Sequence, residues 1–216
     1  MEEIAYFPQS DSFFAVHLST TYAAAAGLRE IKFEGEAIFF QISKLLNFLR
    51  NIKTDAVELD MQYSQFESGL HVAKITIKCG KASYITNSEA KQNINLTKLI
   101  TSENIAKSII VDSTELSSAI EVPLRNKFST IDMVFDNSLK IIAVDNDSNE
   151  SYEYELAGEV SGNGSFTVTM KTDIIANAVS AMRGKLTLQI LQNQPLLLSS
   201  EEDGLWKRII IAPIKK

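Results

Sequence analysis

The stretch FTVTMKTDIIANAVSAMRGKLTLQI, residues 166–190, changes its hydrophobic period twice. Phe166, Val168 and Met170 alternate with polar residues, as a half-buried strand requires. Thr172 and Asp173 then lead into Ile174, Ile175, Ala178, Val179 and Met182 at helical spacing, closed near Gly184. Leu186, Leu188 and Ile190 return to alternation. One unit is therefore a strand, a short amphipathic helix opened by Ser or Thr, and further strands.

The same unit recurs upstream. Ile109 to Val111 precede Thr114, Glu115, Leu116 and the residues to Ile120, with Pro123 expected to forbid much further helix. Ile131, Met133 and Phe135 alternate, Asp136 to Ser138 form a turn, Leu139 to Val144 run apolar, and Tyr152, Tyr154 and Leu156 alternate with acids. Earlier still, Ala37 to Gln41 lead into a helix with Ser43 as N-cap and Leu45, Leu46, Phe48, Leu49 and Ile52 on its apolar face. Strands at Val57 to Met61, Ile75 to Cys79 and, beyond a turn at Gly80, Ala82 to Ile85 complete that copy. Three recurrences at this length imply duplication.

Residues 4–40 read mostly as strands: Ile4 to Phe7, Phe13 to Leu18 and Glu30 to Phe33. Tyr22 to Leu28 is alanine-rich, with Thr20 or Thr21 as a possible cap, so propensity favours helix; the rhythm of the unit requires a strand, and a strand is expected. The polar run from about 87 to 107 is the linker candidate, dividing the chain into residues 1–105 and 106–216. The chain closes with a strand at Lys207 to Ala212. The fold class expected is α+β, with antiparallel sheets carrying short helices on one face.

Hydrophobic content of 45% supports packed cores and excludes a disordered chain. No apolar run approaches the roughly 20 residues that span a bilayer, and the acidic start lacks a secretory n-region, so a cytoplasmic protein is expected. Cys79, the single cysteine, excludes an internal disulfide and reads as a small apolar strand residue.

Catalytic constellations are missing, and neither an enzyme nor a cofactor is expected. His17 and His71 lack metal-ligand spacing. Asp145, Asp147 and Asn149 mimic a calcium loop, but Glu150 and Leu156 occupy its glycine and glutamate positions. Ser161 to Gly164 read as a hairpin turn, as do Glu201 to Gly204, and Trp206 as strand packing.

A net charge of −6 disfavours coating nucleic acid with the whole surface. Lys44, Asn47 and Arg50 nevertheless lie opposite the apolar stripe of the first helix, a pattern that an ordinary solvated face also produces. Lys53, Arg125, Lys127, Lys171, Arg183 and Lys185 lie in or beside the three helices, while acids crowd turns such as Asp145 to Glu150 and Glu201 to Asp203. Such segregation suits sequence-independent contact with phosphates.

The run Thr20, Thr21, Tyr22, Ala23, the strand into helix over Ala37 to Leu49, and Lys74 to Lys78 resemble the first domain of DNA sliding clamps, closest to T-even-type phage clamps. Leu139 to Asp145 followed by Ser151 to Glu155 resemble the central strands of the second domain, and Ile209 to Pro213 its closing strand. The resemblance implies a homotrimer closing a ring of six domains, with helices lining the hole and sheets outside. It implies a processivity factor that encircles duplex DNA, tethers a replicative DNA polymerase, is opened by an ATP-driven clamp loader and hydrolyses nothing. Lys44, Arg50, Lys53, Arg125, Lys127, Lys171 and Arg183 would face DNA. Ile211, Ala212 and Pro213, with Leu99 and Ile100, would form the partner-peptide groove. The family begins with a strand and a helix that are not read here before Ile4, so the expectation is a true start upstream of Met1, a partner that supplies the missing element, or a divergent clamp with a thinner wall. The alternative is a monomeric clamp-fold adaptor that binds partner peptides without encircling DNA.

Overall fold

In this computed structural model the described residues are 3–7, 12–16, 22–28, 38–52, 57–66, 69–87, 105–145, 147–191 and 195–214. The expected strand at Glu30 to Phe33, His17, Lys53, Leu99, Ile100 and the linker residues 88–104 lie outside them. Two compact units are present: Met1–Leu18 with Ala25–Leu96, and Ser19–Ala24 with Thr97–Lys216.

In the second unit the chain runs β8 (Ile105–Asp112), α2 (Ser113–Arg125), β9 (Thr130–Phe135), β10 (Leu139–Asp145), β11 (Glu150–Leu156) and β12 (Glu159–Gly162). It continues as β13 (Phe166–Lys171), α3 (Thr172–Ser180), β14 (Lys185–Leu191), β15 (Leu196–Glu202) and β16 (Leu205–Ile211). One antiparallel sheet is ordered β11-β10-β9-β13, the other β12-β8-β14-β15-β16. Each helix carries the chain from one sheet to the other, so each sheet combines three strands of one repeat with the leading strand of its twin, and β12 adds to the second sheet beside β8. Equivalent positions match in burial: Leu116 with Ile175, Ala119 with Ala178, and Ile120 with Val179 all enter a single core. Ile131, Met133 and Phe135 enter it as Leu186, Leu188 and Ile190 do. The duplication inferred from periodicity is thus present residue by residue.

The first unit contains β1 (Glu3–Phe7), β2 (Ser12–Val16), β4 (Ile38–Gln41), α1 (Ile42–Arg50), β5 (Glu58–Phe66), β6 (Gly69–Cys79), β7 (Ala82–Asn87) and the part of β3 (Tyr22–Leu28) from Ala25 on. Its strands are ordered β3-β2-β1-β4 and β5-β6-β7. Tyr22 to Leu28 is a strand despite its alanines; pairing in a sheet overrides helix propensity. Cys79 is buried on β6. Among the described residues this unit has one helix.

Several local expectations are corrected. The first helix begins at Ile42, directly after β4, so Ser43 lies in its first turn and is not the cap. Asp112, not Thr114, caps α2: its Oδ1 accepts the N–H groups of Thr114 (2.8 Å) and Glu115 (3.2 Å). Lys171 holds the cap position of α3 without a side-chain bond, and the hydroxyl of Thr172 is buried without a partner. The second helix runs through Pro123 to Arg125. Proline removes one N–H to Ala119 close to the helix end, and its ring is buried in exchange. Ser161 to Gly164 is not a hairpin, because β12 pairs with β8 whereas β13 pairs with β9. The segment changes sheets, pressed so close to β8 that a Cβ on Gly162 (φ +92°) would sit 2.6 Å from the Ala106 carbonyl oxygen. The Nζ of buried Lys107 donates to the Gly164 carbonyl at 2.5 Å and holds the crossing.

Replacing Thr172 by Val removes a buried, unsatisfied hydroxyl at nearly constant shape and is expected to stabilise by about 1 kcal/mol in denaturant titration; a loss of stability would show that the hydroxyl is bonded. The Asp112 carboxyl is held below its usual range by the backbone N–H groups of Thr114 and Glu115. Its contribution is present above the ordinary carboxylate pKa and is lost as pH falls through the lowered value. Asp112→Ala is therefore expected to lower the thermal midpoint at neutral pH and to converge with the parent in acid.

Candidate nucleic-acid interface

The amphipathic pattern of α2 turns Leu116, Ala119 and Ile120 inward and leaves Glu115, Ser118, Glu121 and Arg125 in solvent. In α3 Ile175, Ala178 and Val179 are buried, and Asp173, Asn177 and Ser180 are exposed. The two helices pack side by side. Two backbone bonds make them antiparallel: Ser113 N–H donates to Gly184 O at 2.9 Å, and Thr172 N–H to Ser129 O at 3.1 Å.

That arrangement groups the cations by helix end. Lys171 leads into α3 where Ser129 follows α2, so it shares that end with Arg125 and Lys127. Arg183 and Lys185 fall at the opposite end, beside the start of α2. All five are exposed. Arg125 Nη2 is engaged by Glu121 Oε1 at 2.5 Å, and Arg183 Nη1 donates to the carbonyls of Ser180 (3.3 Å) and Met182 (3.1 Å). Lys127 and Lys171 make no ion pair among the described residues. In this unit, then, the cations sit at helix ends while the exposed helix faces carry Glu115, Glu121 and Asp173, a distribution that spacing alone did not reveal.

The first helix differs. Lys44, Asn47 and Arg50 are exposed as the stripe predicts, and the helix contains no acid. Its apolar face is only partly covered: Leu45 is buried and Phe48 half-buried, but Leu46 and Leu49 are exposed.

Lys127 carries information that sequence reasoning missed. Its φ of 62° lies in the left-handed region, where a side chain costs about 1–2 kcal/mol and glycine is the usual solution.

Of the groove candidates, Ile211 is buried in the core, Ala212 is exposed and Pro213 is half-buried. The next residue, Ile214, donates its N–H to Thr169 O at 2.9 Å, tying the chain end to β13. An apolar cavity of about 240 Å³ in the second unit is lined by Ala24, Ile174, Asn177, Ala178, Ala181 and Ile209. Among the described residues no group of three His, Cys, Asp or Glu side chains is placed to hold a metal, and no helix is long and apolar enough to cross a membrane. Acids collect on hairpins: Asp147 in the turn after β10 with Glu150 opening β11, and Glu201 and Glu202 closing β15 with Asp203 in the turn before β16. Asp145 accepts the Asp147 N–H at 2.9 Å, and this bond, with the Ser148 hydroxyl, holds its carboxyl below the usual range.

The sequence matches no protein-family model and no curated protein. Among solved structures the chain is similar to A. fulgidus PCNA with the C-terminal region of FEN-1 bound: TM-score 0.77, 16% identity, covering 100% of this chain and 89% of that one. The fold is that of a sliding clamp. This neighbour is an archaeal clamp and not a T-even-type phage clamp, so the likeness carries the clamp fold without the phage affinity. Within that fold, the α2–α3 pair belongs to two repeats, and the cations grouped at its ends come from both.

Lys127→Gly is expected to raise stability by about 1 kcal/mol through relief of the left-handed conformation and to weaken binding to duplex DNA, read by thermal unfolding and fluorescence anisotropy on the same samples.

Proposed function

We propose that the chain is a DNA sliding clamp that encircles duplex DNA and tethers a replicative DNA polymerase. The observation that carries the proposal is charge placement on the clamp fold: an acidic chain whose exposed cations are concentrated on α1 and at the shared ends of α2 and α3. Exposed lysines and arginines that are held by no base-reading scaffold favour weak, exchangeable phosphate contacts, which permit movement along the duplex. In this proposal three copies close the ring, an ATP-driven loader opens it, and the protein works in the cytoplasm, that of a host if the chain is phage-encoded. Kinship with T-even-type clamps rests on the sequence runs quoted above. Encirclement needs no catalytic group, so the protein is proposed to be no enzyme.

A monomeric adaptor that binds partner peptides is the alternative, favoured by Glu115, Glu121 and Asp173 on the exposed faces of α2 and α3, which reduce their attraction for phosphate. The double substitution Lys44→Glu with Arg50→Glu separates the two. For a clamp, polymerase product length on a long primed template falls several-fold, and DNA binding by the parent weakens steeply with salt, by about 0.9 in log–log slope for each phosphate contact. Unchanged product length in the double variant supports the adaptor.

A further inference from the structure

The three cations at the end where α2 stops and α3 starts are not equivalent. Arg125, Lys127 and Lys171 are all exposed there. Among the described residues Lys127 and Lys171 make no ion pair, whereas Arg125 Nη2 donates to Glu121 Oε1 at 2.5 Å. Glu121 stands one turn before Arg125 on the same helix, and an acid four positions ahead of a base is the favourable order for such a pair. The only other charged side chain of α2 is Glu115, which has Ser118 and Ala119 at the positions where a cation would answer it. One acid of this helix therefore engages a cation and the other does not.

The backbone that carries this pair is fixed. Pro123 is buried between the two charged residues, and the last turn is closed by Asn126 N–H to Val122 O at 3.1 Å and Phe128 N–H to Pro123 O at 3.0 Å. The side chains, in contrast, are free to part: Arg125 is 76% exposed and Glu121 52%, and pairs so open to solvent are weak. A guanidinium offers its fork of donors equally to a carboxylate or a phosphate. An oxygen of Glu121 takes the Nη2 donor that a phosphate oxygen would take, so the two partners compete for one nitrogen. A ligand that needs the free form of Arg125 then binds in proportion to the fraction that is free.

We propose that Glu121 is a releasable clasp on Arg125, which competes with the phosphates of duplex DNA for its guanidinium and so shortens each contact made at this helix end. Glu121 touches no DNA itself; it is a positioning residue that acts through Arg125. Lys127 and Lys171 supply the standing attraction, and the clasp keeps the third cation from adding a long-lived contact to theirs. The inference rests on the reading that this helix end meets duplex DNA, and it adds to that reading a residue that tunes how readily the contact exchanges. It also gives an acid on α2 a role in movement along the duplex, where simple repulsion would only weaken binding.

The test is fluorescence anisotropy of a short labelled duplex titrated with the full-length protein over a series of salt concentrations. Glu121→Gln is expected to tighten binding at low salt by about two- to fivefold, the range of an exposed ion pair. The log–log salt slope is expected to steepen by about 0.9, one further phosphate contact. Glu115→Gln removes the same charge from the same helix without freeing a guanidinium, so it reports the general loss of repulsion. The gain from Glu121→Gln is expected to exceed that of Glu115→Gln and to fall to the same level once Arg125→Gln is added. All three side chains are exposed, and the variants are expected to keep the parental thermal midpoint. A parent that binds duplex while Glu121→Gln gains no more than Glu115→Gln, or keeps its full gain beside Arg125→Gln, overturns the clasp and leaves the clamp reading standing. A parent with no salt-dependent binding to duplex overturns both.

Discussion

Two backbone hydrogen bonds, Ser113 N–H to Gly184 O and Thr172 N–H to Ser129 O, express the constraint on which the second unit depends. At each of them one repeat enters its helix beside the residue that precedes a strand of the other repeat. A chain that changes sheets at its helix cannot complete either sheet alone, because each sheet lacks its fourth strand until the twin supplies it. Burial of Leu116 and Ile175 at equivalent positions follows from that exchange, and both helices are held against the same core.

The electrostatics descend from the same geometry. Antiparallel helices joined in this way bring the end of one beside the start of the other, so Lys171 falls at the same end as Arg125 and Lys127 although more than 40 positions separate them in sequence. Neither end is fully available to a ligand, since Glu121 holds Arg125 and the carbonyls of Ser180 and Met182 at the end of α3 hold Arg183. Exposed pairs of this kind are worth little, about 0–1 kcal/mol. In the proposed function, a phosphate backbone would compete for these cations at small cost, and high salt would remove the attraction.

Periodicity made most of the fold legible. The switch from alternation to helical spacing at Thr172 located α3 and its flanking strands, and the rhythm of the unit placed Tyr22 to Leu28 in a strand against its composition. What stayed hidden depends on tertiary neighbours. Asp112 caps α2 only because β8 ends there; Pro123 is tolerated because its lost bond falls in the final turn; and Ser161 to Gly164 has the composition of a hairpin while the pairing of β12 with β8 makes it a crossing. In the candidate site, the exposure of Lys44 and Arg50 was readable from the stripe of α1, whereas the left-handed backbone of Lys127, the acids on the faces of α2 and α3, and the uncovered Leu46 and Leu49 were not.

Ring closure is the premise that links this fold to DNA, and native mass measurement addresses it most directly. At near-physiological ionic strength and without DNA, a species three times the 24.0 kDa chain mass is expected. A single 24.0 kDa species over the whole concentration range would contradict encirclement by a homotrimer.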